Sequence, residues 1–189
     1  YGEQKDRRIV DENRMQCGSN SYAASKISAE NILRSYRETH KLETVCLRLG
    51  AVYGPRRTTD CLIHRLIKNS INNEALELGF GKDWSRPYVY VDDVLNAIQL
   101  AFEAPFRNLK QDAYNVSGGI WPTISDIANI IAEVTNSGSV NLLCGRTPND
   151  YLIGPLDLEA ARRDLGFKPQ YTMERGIEIY YEWLQESAF

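Results

Sequence analysis

A tyrosine and a lysine four residues apart form the most chemically suggestive pair in the sequence. Tyr22 and Lys26 bound the segment Tyr22-Ala23-Ala24-Ser25-Lys26, and residues four apart share one face of a helix. Because a nearby cation favours the phenolate form of a tyrosine, the pair could act as a general base or acid toward a sugar or alcohol hydroxyl. The same spacing also occurs in ordinary solvated helices, so the pair alone does not define a site.

The segment that carries this pair is predicted to be a helix. Apolar residues recur at helical spacing over residues 22–37, and either Asn20 or Ser21 could cap the helix. A short run of apolar and β-branched residues over 43–49 predicts a buried strand, and Gly54-Pro55 predicts a turn soon after it. The pair would therefore precede a strand of the core.

Helices and strands alternate along the rest of the chain, which predicts an α/β fold with a parallel sheet. Asp92 and Asp93 are predicted to cap a helix, because they precede an apolar helical segment. The predicted helices cover residues 60–73, from 92 or 93 to 104, 123–135, 157–166 and 172–185, and the predicted strands cover residues 88–91, 114–116 and 140–144.

Composition excludes several classes of protein. Of the 189 residues, 43% are hydrophobic and 25% charged, which is typical of globular domains and not of disordered or fibrous chains. A net charge of −3 without a basic block argues against nucleic acid or an anionic membrane as a partner, and neither a membrane span nor a leader is predicted. Four widely separated cysteines, with no C-x-x-C pair, predict reduced, mostly buried thiols in a cytoplasmic protein with no metal site.

Several motifs follow the Tyr22–Lys26 pair in a fixed order, and together they resemble those of a known family. The motifs are Arg48-Leu49-Gly50-Ala51-Val52-Tyr53-Gly54-Pro55, Arg86-Pro87-Tyr88-Val89-Tyr90-Val91-Asp92-Asp93-Val94, Tyr114-Asn115-Val116-Ser117-Gly118-Gly119, and the segment 157–169 with Gly166 and Pro169 near its end. In order and spacing they resemble the extended short-chain dehydrogenase/reductase family, and above all its NAD-dependent nucleotide-sugar epimerases and dehydratases. The resemblance spans nearly the whole chain.

The resemblance implies catalytic roles for the first pair. Tyr22 matches the tyrosine that exchanges a proton with the sugar hydroxyl while a hydride moves to or from the nicotinamide. Lys26 matches the lysine that binds the nicotinamide ribose and lowers the pKa of that tyrosine. Both residues would therefore contact the cofactor as well as serve catalysis, and NAD is the expected cofactor, with NADP as the alternative.

The resemblance also implies a set of substrate-binding residues. Arg86 matches an arginine that grips the diphosphate of the sugar nucleotide, a role that suits a planar, permanently charged guanidinium; a surface carboxylate is the alternative partner. Tyr88 matches an aromatic residue close to the nucleotide. Arg146 and Asp150 resemble the arginine and aspartate that hold the diphosphate and the ribose. Trp84 could be an aromatic lid over the sugar or a packing residue.

The implied fold is a partial Rossmann sheet joined to a small mixed α/β substrate-binding subdomain. Residues 1–57 would be the remnant of the Rossmann core with the catalytic helix, and residues 58–189 mainly the nucleotide-sugar-binding region of one compact unit. The implied reaction is 4-epimerisation of a nucleotide sugar, most simply a UDP-sugar, through a 4-keto intermediate. The alternatives are 4,6-dehydration, a non-catalytic nucleotide-sugar-binding fragment, or reduction of another carbonyl substrate. Relatives often form homodimers, so a homodimer is one of the assemblies that the resemblance allows, and the sequence leaves the oligomeric state open.

The sequence also departs from the family pattern. Ala51 stands where many relatives have asparagine, and Pro87 stands where an aspartate usually follows the arginine. The Gly-x-x-Gly-x-x-Gly turn that seats the dinucleotide pyrophosphate on a helix N-terminus is absent. We therefore expect this chain to be the C-terminal portion of such an enzyme, to bind NAD poorly by itself and to show little or no turnover.

Overall fold

The structure is a computed structural model that describes residues 1–3, 7–59, 61–72, 74, 77–78, 81, 83–136, 141–142 and 153–186. Its helices are α1 (Ser21–His40), α2 (Leu62–Ile71), α3 (Val91–Glu103), α4 (Ile124–Thr135), α5 (Glu159–Leu165) and α6 (Met173–Glu186). Its strands are β1 (Cys46–Leu49), β2 (Ala51–Tyr53), β3 (Glu77–Leu78), β4 (Tyr88–Tyr90), β5 (Ala113–Val116) and β6 (Asn141–Leu142). The predicted alternation of helices and strands is confirmed.

The strands pair in parallel, as the sequence predicts for an α/β fold. β1 pairs with β5, β2 with β4, and β3 with β6. Parallel strands need crossover connections, and helices supply them: α2 lies in the chain between β2 and its partner β4, and α4 lies between β3 and its partner β6.

β1 and β2 are consecutive strands that change partner at Gly50. The Gly50 backbone N–H donates to the Val116 carbonyl at 2.8 Å, and the next N–H, of Ala51, donates to the Pro87 carbonyl at 2.7 Å. A Cβ atom on Gly50 would overlap the Pro87 carbonyl oxygen, so only glycine allows this approach. The sequence predicted a turn between residues 50 and 57 but not the three-residue strand β2, whose partner lies far along the chain.

The core has two parts, on opposite faces of β4. Tyr88 and Tyr90 pack with side chains of α2, α4 and α6, whereas Val89 packs with side chains of α3, α5 and β5. This alternation follows from the twofold period of a strand. Burial on both faces is typical of a parallel sheet covered by helices.

Capping residues mark several of the helix ends. Thr123 and Asp126 form a capping box at the start of α4. Gly166 ends α5 in the left-handed region, at φ 73°. Asp157 precedes α5 and accepts a hydrogen bond from the Glu159 backbone N–H at 2.8 Å.

The predicted capping role of Asp92 and Asp93 is wrong. α3 begins at Val91, with Tyr90 before it, so both aspartates lie within the first turn. Asp93 is only 1% exposed and accepts hydrogen bonds from the backbone N–H groups of Gln170 and Tyr171, at 2.7 and 3.3 Å. Burial raises the pKa of Asp93, although these two hydrogen bonds act in the opposite direction. The residue therefore fastens the segment before α6 to α3.

A second buried carboxylate joins α5 to β5. Asp164 accepts hydrogen bonds from the Tyr114 hydroxyl at 2.9 Å and from the Lys110 backbone N–H at 3.2 Å. Arg163 Nε donates to the same carboxylate at 2.6 Å. The hydrogen bond from Arg163 is the largest influence on the pKa of Asp164, which lies at about 2 despite burial.

The cysteines differ in exposure more than expected. Cys61 is buried, Cys46 is half-buried, and Cys17 is exposed; all three are free thiols. Cys144 lies outside the described residues. Within the described residues, no helix is both long and apolar enough to cross a membrane.

Candidate active site

The Tyr22–Lys26 pair lies at the start of α1. The Asn20 side-chain oxygen accepts a hydrogen bond from the Ala23 backbone N–H at 2.8 Å, which fixes the first helical turn. Lys26 Nζ lies 5.5 Å from the centroid of the Tyr22 ring, within the range of a cation–π contact. The structure thus brings the two side chains together, while their catalytic roles stay a prediction.

The pair is open to solvent. Tyr22 is 72% exposed, Lys26 is exposed as well, and α1 buries none of its residues. Ile32, Leu33 and Tyr36 of the same helix are also exposed apolar residues. A ligand can therefore reach the phenol and the ammonium directly from this side of α1.

Arg86 lies in the segment that leads into β4, and its guanidinium rests on an aromatic ring. The Arg86 Cζ atom is 4.1 Å from the centroid of the Trp84 ring. Trp84 is 8% exposed, so of its two predicted alternatives the structure favours packing over an open lid. Its indole N–H is buried and meets no acceptor within the described part of the chain.

Tyr88 occupies a different environment from Arg86. It is 5% exposed and packs edge-to-face against Tyr53, with the ring centroids 6.3 Å apart. Most of its ring therefore serves the core, and contact with a nucleotide stays a prediction. Arg146 and Asp150 lie outside the described residues, so their predicted roles stay predictions too.

A polar network beneath α1 was not predicted from the sequence. Arg48 of β1 donates to the Glu30 carboxylate at 2.7 and 3.0 Å, and to the Tyr1 hydroxyl and the Glu12 carbonyl at 2.9 Å each. The Tyr1 hydroxyl in turn donates to the side-chain oxygen of Asn115 in β5. The available signal was an arginine within an apolar strand, because a charge there requires a partner.

Electrostatics keep this network ionised. The side chains of Arg48 and Glu30 are 14% and 19% exposed. Burial acts to raise the pKa of Glu30, but hydrogen bonds from Arg48 and Gln16 outweigh it, so the pKa lies below its ordinary value. The pKa of Arg48 is raised because its hydrogen bonds to Glu30 and Tyr1 outweigh the opposing effect of burial. α1 is therefore joined to the sheet by a half-buried ion pair.

A separate open cleft of about 420 Å³ lies where β5 ends and α5 begins. Residues 155–159 and 167–169 line much of it, together with Ile9, Gly119 and Arg162. Neither the Tyr22–Lys26 pair nor Arg86 contributes to this lining. Among the residues that the structure describes, no group of three or more His, Cys, Asp or Glu side chains could hold a metal ion.

The fold combines parallel strands joined by helices with an exposed helix that carries Tyr22 and Lys26. This combination agrees with the family that the sequence motifs indicate. The chain belongs to the family described as the NAD dependent epimerase/dehydratase family, whose profile matches residues 1–117. The predicted family and fold class are thereby confirmed.

Three similar proteins illustrate the relationship. dTDP-glucose 4,6-dehydratase from Shigella flexneri is 29% identical over 175 residues, which cover 87% of this chain and 47% of that protein. The structure of UDP-glucose 4-epimerase from Thermotoga maritima with UDP-glucose has a TM-score of 0.89 at 23% identity and matches 100% of this chain and 60% of that one. UDP-glucuronic acid 4-epimerase from Bacillus cereus, in complex with UDP-glucuronic acid and NAD, has a TM-score of 0.85 at 24% identity, with coverages of 99% and 59%.

The chain spans about half the length of the curated relatives that it matches, and about 60% of the similar solved structures. The likeness to the solved structures establishes the fold, and the family rests on the profile match over residues 1–117.

Proposed function

We propose that the chain is part of an NAD-dependent enzyme that epimerises C4 of a nucleotide sugar, most simply a UDP-sugar. The observation that carries this proposal is the Tyr22–Lys26 pair, with Lys26 Nζ 5.5 Å from the Tyr22 ring on an exposed helix face. Membership of a family whose description names NAD and epimerisation supports the choice of cofactor and reaction class, with NADP as the alternative cofactor.

In this proposal Tyr22 accepts the proton of the sugar C4 hydroxyl as C4 loses a hydride, which leaves a 4-keto sugar. Return of the hydride to the opposite face of C4, with the proton donated back by Tyr22, gives the 4-epimer. Bound NAD supplies the acceptor and donor for the hydride. Lys26, exposed beside Tyr22, would hold the nicotinamide ribose and place a positive charge near the reacting phenol. These residues fit the nicotinamide end of the cofactor, whereas the glycine turn for its pyrophosphate is not in this sequence.

Substrate binding is assigned mainly to the later part of the chain, residues 58–189, with residues 1–57 carrying the catalytic helix. Arg86 would bind the diphosphate, which agrees with a half-buried guanidinium already held against Trp84. Tyr88 would lie near the nucleotide, and Arg146 and Asp150 would hold the diphosphate and ribose. β5 of the later part pairs with β1, so the two parts share one sheet.

A second candidate is 4,6-dehydration of a nucleotide sugar. It is favoured by the 29% identity to dTDP-glucose 4,6-dehydratase. Both reactions begin with the same oxidation at C4, and they differ in whether water is eliminated before the hydride returns. Epimerisation needs fewer added groups, so we place it first.

The test uses the protein purified from its source, together with the 189-residue chain, each incubated with NAD and UDP-glucose or dTDP-glucose. Chromatography that resolves 4-epimers would show the proposed product, and mass spectrometry would show loss of water for the dehydratase. We expect the epimer from the source protein and little turnover from the 189-residue chain. Binding of nucleotide sugar without turnover by the source protein would instead support a non-catalytic binding protein and contradict the proposed reaction.

We further propose that the protein is cytoplasmic and forms a homodimer. The free thiols of Cys17, Cys46 and Cys61 agree with a reducing compartment. The exposed apolar side chains of α1 agree with self-association through that helix. Fluorescence microscopy of a tagged source protein and light scattering of the purified protein test the two statements.

A further inference from the structure

We propose that Trp84 is a positioning residue that holds the Arg86 guanidinium in place for the diphosphate of a nucleotide sugar. The inference rests on the proposed function, because it assigns the residue that orients Arg86 in that site. It predicts that the removal of Trp84 weakens nucleotide binding through Arg86 and not through a contact of its own.

Trp84 is a fixed platform. Its backbone N–H donates to the Gly81 carbonyl at 3.0 Å, and its carbonyl accepts from the Ile124 N–H at 2.9 Å. Gly81 has a φ of 97°, and a Cβ atom there would lie 2.6 Å from Ile124 Cδ1, so glycine permits this close packing against α4. Because Trp84 as a whole residue is only 8% exposed, rotation of its ring would require neighbouring groups to move.

Arg86 is restricted in both its backbone and its side chain. Pro87 follows it, and the residue before a proline is held near the extended conformation. The Pro87 carbonyl is itself fixed by the Ala51 N–H at 2.7 Å. The side chain is restrained by the ring, with Arg86 Cζ 4.1 Å from the Trp84 centroid, well inside the limit of about 6 Å for a cation–π contact.

This restraint favours the binding of a diphosphate. A flexible arginine loses most of its rotamer freedom when it binds an anion, whereas a guanidinium that is already held loses less. The N–H groups of a guanidinium lie in its plane, so a ring that contacts its face leaves them able to bind phosphate oxygens in pairs. Trp84 thus prepares Arg86 without itself contacting the anion.

The first measurement needs no ligand. In a ¹⁵N-labelled sample of the chain, the ring current of Trp84 should shift the Arg86 Nε–Hε signal upfield of ordinary arginines. Trp84→Leu should return the signal to the ordinary range, and Arg86→Lys should remove it and so assign it. An Arg86 signal at the ordinary position in the unmutated chain would overturn the proposal.

The second measurement is calorimetric titration with UDP. Trp84→Leu should weaken UDP binding about 3- to 30-fold, the range of a single cation–π contact. Trp84→Phe keeps an aromatic face but not the buried N–H, and should stay within about threefold of the unmutated chain. In an Arg86→Ala background, Trp84→Leu should have no additional effect.

The outcomes separate the inference from the proposed function. An equal loss from Trp84→Leu with and without Arg86 would overturn the positioning role. Loss of affinity in both Trp84→Leu and Trp84→Phe, with lower thermal stability in each, would assign Trp84 a structural role only and would also overturn it. A shifted Arg86 signal with no UDP binding by the unmutated chain or the source protein would contradict the proposed nucleotide site and the role that rests on it, while leaving the stack itself observed.

Discussion

At the scale of single residues, the proposed mechanism depends on the exposed hydroxyl group of Tyr22. Tyr36, on the same helix, provides a control for its removal. Tyr22→Phe removes the proposed proton acceptor while keeping the ring over which Lys26 lies. We expect kcat of the source protein to fall about 10²- to 10⁴-fold, the usual contribution of a general acid or base. Tyr36→Phe, which alters another half-exposed phenol, should leave kcat unchanged. Equal activity of the two variants in a steady-state assay would contradict the proposed mechanism.

Asp164 predicts an acid-dependent loss of stability. Its pKa of about 2 lies below the value of about 3.9 for an unfolded aspartate, so the folded state is stabilised above that value and loses the contribution as the pH falls through 2. Asp164→Asn should therefore lower the free energy of unfolding by about 1–2 kcal/mol at neutral pH and by little near pH 2. Urea titrations across this pH range measure the difference.

The exposed carboxylate Glu159 is the control for that experiment. Its ion pair with Arg162 is solvated on both sides, and ion pairs between exposed side chains contribute little to stability. Glu159→Gln should therefore leave the acid limb of the stability curve in place. If it shifted the curve as much as Asp164→Asn does, the hydrogen bonds of Asp164 would not be the cause.

At the scale of secondary-structure elements, α6 approaches β2 at a glycine. A Cβ atom on Gly176 would overlap the Tyr53 hydroxyl, so Gly176→Ala should lower the free energy of unfolding by about 1–3 kcal/mol, although alanine favours helix by about 1 kcal/mol. Tyr53→Phe removes the overlapped oxygen. The double variant should therefore be less destabilised than the sum of the two single variants, as measured by thermal unfolding. Full additivity would contradict the predicted contact.

The carboxylate of Asp93 joins α3 to the segment before α6, whereas that of its neighbour Asp92 does not. Asp93→Ala would leave the backbone N–H groups of Gln170 and Tyr171 without their acceptor, at a cost of about 2 kcal/mol or more. Asp92, which is exposed one position earlier, is the matched control, and Asp92→Ala should change the stability by less than about 0.5 kcal/mol. If chemical denaturation showed similar losses of stability for Asp93→Ala and Asp92→Ala, the charge at the helix end, and not the buried hydrogen bonds of Asp93, would be the stabilising factor.

The elements that local residues specify were predicted well. Asn20, Thr123 and Gly166 mark helix ends through contacts with residues a few positions away, so their roles are readable from the sequence. β2 was missed because its partner β4 lies more than thirty residues on. Asp93 was misassigned for the same reason, since the groups it accepts from lie 77 and 78 residues away.

Some features of the candidate site could be predicted from local sequence, and others could not. The proximity of Tyr22 and Lys26 follows from helical spacing, and the sequence motifs identified the family correctly. The Arg48–Glu30 ion pair and the Trp84–Arg86 contact depend on how side chains pack in three dimensions. The sequence shows that Arg86 lies two residues after Trp84, but it does not show that the two side chains are stacked.

At the scale of the whole molecule, the helices differ in how they are held. α4 buries four residues in the core, whereas α1 buries none and is tied to the sheet by Arg48–Glu30 and by the ion pairs of Arg34 and Arg37 with Asp112. We expect backbone amides of α1 to exchange with deuterium well before those of α4, as measured by mass spectrometry. Equal protection in a monomeric sample would contradict this expectation, while protection that rises with protein concentration would support the proposed homodimer.

The partner change at Gly50 has a mechanical consequence for the proposed enzyme. Three backbone hydrogen bonds meet there: Gly50 to Val116, Ala51 to Pro87, and Gly118 to Tyr88. They join the strands beneath α1 directly to the strand that Arg86 enters, so Arg86 and the strands that support the proposed proton acceptor belong to one hydrogen-bonded frame. Any change in the distance between Tyr22 and Arg86 would then come from movement of α1, which its ion pairs tie to that frame.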